Sequence, residues 1–188
     1  MRVAVTGTPG TGKTTATALL AERSAFDFEV VHLNDVVRER DLAESTDEGR
    51  DSLVVDPDAV REWLDETYAA DADLLVESHL AHLLDSDRVV VLRAHPERIR
   101  QRLLERGETE RSASENAESE ALDVVLSETV DRHGTESVFE VDTTDRPPEA
   151  VADEIAAVVR GERDPEVGVV EFTDYLVGET ASEEGERS

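Results

Sequence analysis

The chain has 188 residues, with 46 Asp and Glu against 19 Lys and Arg, five His and no Cys, for a formal net charge of −27. That length suits one domain with a real core. The missing cysteine excludes disulfides and thiolate metal sites and fits a reducing cytoplasm, and a surface of this sign argues against free nucleic acid as a partner.

Lys13 is the single lysine, and the other eighteen cations are arginine. Two causes compete for the acidity. One is a surface that attracts a basic partner; the other is adaptation to high salt, where screening makes carboxylate repulsion tolerable. The acids are spread along the whole chain and lysine is almost gone, which favours salt adaptation.

In chain order, Arg2–Thr6 is the first of five strand-like runs. It is too short for a signal-peptide core or a membrane span, so no membrane partner and a cytoplasmic location are expected. Gly7-Thr8-Pro9-Gly10-Thr11-Gly12-Lys13-Thr14 follows and matches G-x-x-x-x-G-K-[ST] in full. The helix expected from Lys13 to Arg23 carries Ala16, Leu19 and Leu20 at helical spacing. Glycines let successive backbone N–H groups turn inward as an anion nest, and the helix N-terminus adds its positive end. Gly10, Thr11, Gly12, Lys13, Thr14 and Thr15 are therefore the candidate phosphate ligands. Lys13 would meet the β- and γ-phosphates of ATP, and the Thr14 hydroxyl would ligate Mg²⁺.

Val30–Leu33 reads as the second strand, with Asn34-Asp35-Val36-Val37-Arg38 after it. Asp56-Pro57-Asp58 has the form of an N-cap with proline at the first helical position. The third strand, Leu74–Glu77, ends on Glu77-Ser78-His79. In open parallel sheets ligands bind beyond the carboxyl ends of strands, so Glu77 would hold the Mg²⁺ hydration shell and His79 would orient a nucleophile or meet the γ-phosphate. The competing reading is a capping acid and a surface histidine. His79 and His82 as a metal pair lack a third ligand.

Arg88–Leu92 is the fourth strand, ending at Arg93. Pro96 opens a helix with Ile99 and Leu103, on which Arg98, Arg102 and Arg106 recur at four-residue spacing. Gly107–Glu120 has only alanines as apolar content and is expected to stand in solvent as a mobile insert carrying Arg111. Guanidinium groups on a closing lid neutralise charge on a transferring phosphoryl group, which makes Arg106 and Arg111 catalytic candidates; pairing with Glu97 and Glu105 accounts for others. Ser137–Asp142 is the fifth strand, and Pro147-Pro148 precedes a helix with Val151, Ile155 and Val158. Alternating strands and helices give an α/β, three-layer fold with a five-stranded parallel sheet. Val167 to Leu176 forms an apolar strip, read as packing back onto the domain, or else as a docking strip. Disorder is expected from Gly178.

Taken together, these residues resemble the adenylate kinase isoenzyme 6 family, small atypical adenylate kinases also linked to maturation of the small ribosomal subunit. The resemblance covers about Val3 to Val159. It is carried by the GTPGTGKT loop, Asn34–Arg38, Asp56, Glu77–His79, Val91-Leu92-Arg93, Arg102-Leu103 to Arg106-Gly107, and Glu115-Asn116 with Glu118. It implies a P-loop NTPase of the nucleoside monophosphate kinase type. The kinase domain would span 1–161, with an acceptor-binding segment at about 34–60 and a short lid at about 107–120, followed by an acidic extension at 162–188. The implied reaction is ATP:AMP phosphotransfer with some ATPase activity, Asn34 and Arg38 holding the acceptor, and a basic small-subunit ribosomal protein as partner. An ATPase assembly factor, or a kinase for a non-nucleotide acceptor, are the alternatives. With the acidic composition, the source implied is a halophilic archaeon. The sequence departs from the family pattern at Glu77, where an aspartate is expected, and at Glu108, where an aromatic is expected.

Overall fold

The computed structural model describes residues 1–40, 43–47 and 52–176, with backbone alone for 43–47 and 52–55. The expected disorder from Gly178 lies outside the described residues, as does part of the acceptor segment. The elements in order are β1 (Arg2–Thr6), α1 (Lys13–Ala21), β2 (Glu29–His32), α2 (Leu33–Arg40), β3 (Ala43–Asp47), β4 (Ser52–Val55), α3 (Pro57–Thr67), β5 (Leu74–Glu77), β6 (Arg88–Arg93), α4 (Pro96–Glu105), α5 (Glu110–Ala121), α6 (Val124–His133), β7 (Val138–Asp142) and α7 (Pro148–Arg160).

Five strands pair in the order β2-β5-β1-β6-β7, and every pair is parallel. Their Val- and Leu-rich sequences lack alternation because helices cover both faces. One face packs Val3, Val5, Leu75, Val90 and Leu92 against Leu20 of α1 and Ile155 of α7. The other packs Ala4, Val31, Val76 and Val91 against Val37 of α2, Leu64 of α3 and Leu126 of α6. The fold is thus the expected three-layer α/β sandwich. Starts follow the expected chemistry: Asp56 accepts from the Asp58 N–H at 2.8 Å with Pro57 in the first turn of α3, and His95 caps α4 ahead of Pro96. β1 lies at the centre, and the chain leaving it enters the glycine-rich loop.

Three features differ from the sequence expectations. Residues 107–120 do not stand in solvent as an unstructured insert. They are a short turn and most of α5, whose Ala113 is buried with Ile99 and Leu103 of α4, and whose Ala117 and Ala121 are also buried. Alanines at four-residue spacing make a narrow apolar stripe, and their small side chains let α5 lie close to α4. β3 and β4 form a separate antiparallel pair that the sequence reading did not anticipate, and the same is true of α6. The Val167–Leu176 strip, by contrast, packs back onto the domain as expected. Glu166 bridges Phe139 as a short parallel continuation of the sheet, and Phe172 is buried against the His95 ring at 5.5 Å. Val169 alone in it is an exposed large hydrophobic.

Arg93, at the end of β6, is 1% exposed. Its Nε donates to Glu120 at 2.7 Å, one terminal nitrogen to Glu140 at 2.6 Å, and the other to Asp123 and to the Glu120 carbonyl. Burial alone would favour loss of its proton; Glu120 and Asp123 reverse that and raise its pKa. Phe172 lies over the guanidinium at 5.6 Å. Removing one partner of a buried ionic cluster leaves the others uncompensated, at a cost of about 3–5 kcal/mol. Arg93→Met is therefore expected to lower stability by about that amount, measured by denaturant unfolding in molar KCl; a midpoint near that of the parent would contradict the role assigned to Arg93.

Candidate active site

The loop between β1 and α1 is shaped by its neighbours as much as by its glycines. Gly7 adopts φ 137°, and a Cβ there would collide with the Leu92 carbonyl oxygen at the end of β6. Thr143 Oγ1 donates to the Thr11 carbonyl at 2.9 Å, and Arg102 donates to the Gly10 carbonyl at 2.9 Å. Thr8 Oγ1 donates to buried Glu120 Oε2 at 2.5 Å. The loop is thus tied to α4, to the C-terminal end of α5 and to the segment after β7. Of these ties, Thr8, Glu120 and Thr143 escaped the sequence reading.

Lys13 is the buried cation of the site. Its Nζ donates to the carbonyls of Gly7 at 2.7 Å and Thr8 at 3.1 Å. Burial pushes its pKa down to about 8, against the opposing pull of Glu77 and Glu120, with Arg106 lowering it further. Arg106, at the C-terminal cap of α4, is therefore within electrostatic reach of Lys13. Thr14 and Thr15 are exposed at the start of α1.

Glu77 ends β5 and is buried. Both its oxygens accept from the Thr14 hydroxyl, at 3.2 and 3.3 Å, and Oε2 also faces His32 Nδ1 at 3.0 Å. With the Thr14 proton directed to Glu77, the hydroxyl oxygen keeps lone pairs for a cation. Among the described residues no group of three or more His, Asp or Glu forms a metal cage. A divalent ion would therefore rest on Thr14, on water held by Glu77 and on ligand oxygens, as a hard cation that retains waters prefers. Glu in place of the expected Asp still reaches Thr14.

His79 is kept neutral: burial, then the charge of Lys13, then His82, lower its pKa to about 4. His82 is no metal ligand. Its Nε2 faces Glu128 at 3.2 Å and its Nδ1 faces Thr6 Oγ1 at 3.0 Å. Burial lowers its pKa despite Glu128; a neutral ring with a carboxylate on Nε2 must carry its proton there and accept from Thr6 at Nδ1.

Asn34 accepts from Ser78 Oγ at 3.2 Å, so the start of α2 touches the end of β5. Arg38 lies in the last turn of α2, exposed, 3.8 Å from Asp35. Arg111 is 84% exposed and bonds Glu115 at 2.8 Å within α5. The structure thus brings Lys13, Thr14, Glu77, His79 and Arg106 to one place, with Asn34 at its border, and leaves Arg38 and Arg111 on exposed helix faces. Beside the loop, a cavity of about 370 Å³ is lined by Arg98, Arg102, Thr144, Asp145 and Arg146 among others.

Residues 3–123 match the family model described as an AAA domain. A protein of Natronomonas pharaonis named "Putative adenylate kinase" is 58% identical over 176 residues, covering 94% of this chain and all of that one. One of the same name from Halobacterium salinarum is 54% identical with the same coverage, and one from Methanocaldococcus jannaschii is 36% identical over 180 residues, 94% of this chain and 97% of that one. The chain belongs to the small, atypical adenylate kinase family. Its relatives of highest identity named here come from halophilic archaea, in keeping with the acidic composition. A shikimate kinase from Acinetobacter baumannii superposes with TM-score 0.58 at 17% identity, over 86% of this chain and 94% of that one, which supports the P-loop kinase fold of this adenylate kinase relative.

The depressed His79 pKa fixes a sign. As pH falls from about 6.5, an unfolded His79 takes up a proton that the folded one refuses until about 4, so its contribution to stability is lost across that window. His79→Gln is expected to flatten that part of the stability–pH curve, and the His79 ring resonances of the parent should titrate near 4. Titration in the ordinary imidazole range would overturn this.

Proposed function

We propose that the protein transfers the γ-phosphoryl group of ATP to AMP, giving two ADP. The observation that carries it is the convergence on one loop of a buried lysine, a hydroxyl–carboxylate pair and an arginine. Loop N–H groups and the α1 N-terminus cradle the phosphates, and Lys13 and Arg106 balance charge on the phosphoryl oxygens as the β–γ bridging bond breaks and an AMP phosphate oxygen takes its place. Mg²⁺ bound with ATP would supply further charge neutralisation. Thr14 would ligate it and Glu77 would hold its water. Neutral His79 would orient the acceptor without adding positive charge. The cavity beside Arg98, Arg102 and Arg146 suits a nucleobase, since guanidinium planes stack on aromatic rings. Arg38 would clamp the AMP phosphate once the acceptor segment covers it, and Arg111 would reach the site through movement of α5. Both roles require motion, because both side chains are exposed here.

A second reading, in the cytoplasm, is ATP hydrolysis coupled to a basic ribosomal protein, to which an acidic surface would be complementary. The assay separates the two. ADP formation from ATP·Mg²⁺ in molar KCl is expected to require AMP, to prefer it over CMP, UMP and GMP, and to disappear in Lys13→Ala. Arg38→Ala is expected to raise the KM for AMP about tenfold or more, the loss of a charge-assisted contact, with ATP affinity unchanged. Acceptor-independent hydrolysis alone would replace the kinase with the ATPase. Because the charged Lys13 is the form that meets phosphate, ATP affinity is expected to weaken as pH rises through about 8, a step that Lys13→Ala should lack; a flat profile in the parent would contradict it.

A further inference from the structure

The strand register sets His32 beside Glu77. In the parallel β2–β5 pair the two are Cα partners at the carboxyl ends of their strands. Their side chains meet, His32 Nδ1 lying 3.0 Å from Glu77 Oε2. An ionised carboxylate only accepts, so Nδ1 carries the ring proton and donates. Glu77 is buried, while His32 is 26% exposed on the edge strand of the sheet.

A glutamate has three side-chain torsions, and the last is broad and roughly two-fold. One donor would leave the carboxylate free to turn about it. Here two donors approach from different elements: Thr14 from α1, across both oxygens, and His32 from β2, on Oε2. The pair of contacts fixes both the reach and the plane of the group. A longer acid than the sequence pattern led us to expect is thereby held in one orientation.

We propose that His32 is a positioning residue for the divalent ion bound with the nucleotide: it touches neither the ion nor ATP, and acts by holding Glu77 in the orientation that meets the ion's water. The inference rests on the role given to Glu77 in the proposed function. Support shells of this kind alter metal affinity by about 10–100-fold when removed. Since His32 is on the edge strand and partly exposed, its truncation leaves the two apolar clusters intact.

The test is ATP binding by calorimetry, with and without Mg²⁺, for the parent, His32→Ala, His32→Asn and Glu77→Gln. In the parent, Mg²⁺ is expected to tighten binding. His32→Ala should lose about tenfold or more of that gain and keep its metal-free affinity, and His32→Asn, whose amide N–H still donates, should recover part of it. In the parent, ¹⁵N spectra should show the His32 proton on Nδ1. A full Mg²⁺ gain in His32→Ala, or an equal loss with and without Mg²⁺, overturns the proposal. If Glu77→Gln also keeps the full gain, the role of Glu77 falls and His32 with it; if Glu77→Gln loses the gain and His32→Ala does not, only the positioning role falls.

Discussion

The guanidinium of Arg93 stands where β6, β7 and α5 converge, and each of the last two brings a buried carboxylate to that point, Glu140 and Glu120. Two such acids brought together in a dry interior are stable there only with a cation between them. A planar fork with five donors meets both and reaches Asp123 as well. Asp123 adopts the left-handed conformation at φ 55°, which a short polar residue tolerates best after glycine, and its bond to Arg93 holds the turn from α5 into α6. Glu120 in turn takes the Thr8 hydroxyl and the Ala94 N–H. Thr8 of the glycine-rich loop is thereby placed through a cation whose own nitrogens all donate to Glu120, Glu140 or Asp123.

This arrangement matters more in the salt that the composition suits. At 1 M ionic strength charges are screened within about 3 Å, and exposed pairs such as Arg23–Asp153 and Arg98–Asp145 then contribute close to nothing. The interior cluster is out of reach of that screening. Salt that quiets repulsion among the excess carboxylates leaves intact the ionic network on which the site depends.

The five strands and the phosphate loop were legible because each is written in adjacent residues: a Val- and Leu-rich run, or glycines at fixed spacing. Glu77 and His79 followed from the rule that sites form at strand ends. What the sequence hid was of two kinds. α5 was missed because its apolar face is three alanines, residues 113, 117 and 121, whose burial depends on α4 lying alongside. His32, Thr8 and Glu120 were missed because their partners lie 45 or 112 residues away and become neighbours only once the strand order is known. The ionic partners of Arg93 were hidden for a related reason, since Glu120 and Glu140 lie 27 and 47 residues away.

Lys13 is the molecule's one side-chain amine, and its nitrogen is turned inward onto the carbonyls of Gly7 and Thr8. Acylation, methylation or conjugation to another protein through lysine therefore has no neutral place to occur. Any such mark would fall on this buried amine of the glycine-rich loop, and its depressed pKa leaves that amine more nucleophilic near neutrality than an ordinary lysine. With cysteine also absent, the covalent switches most often built on surface lysines and thiols are closed to this protein.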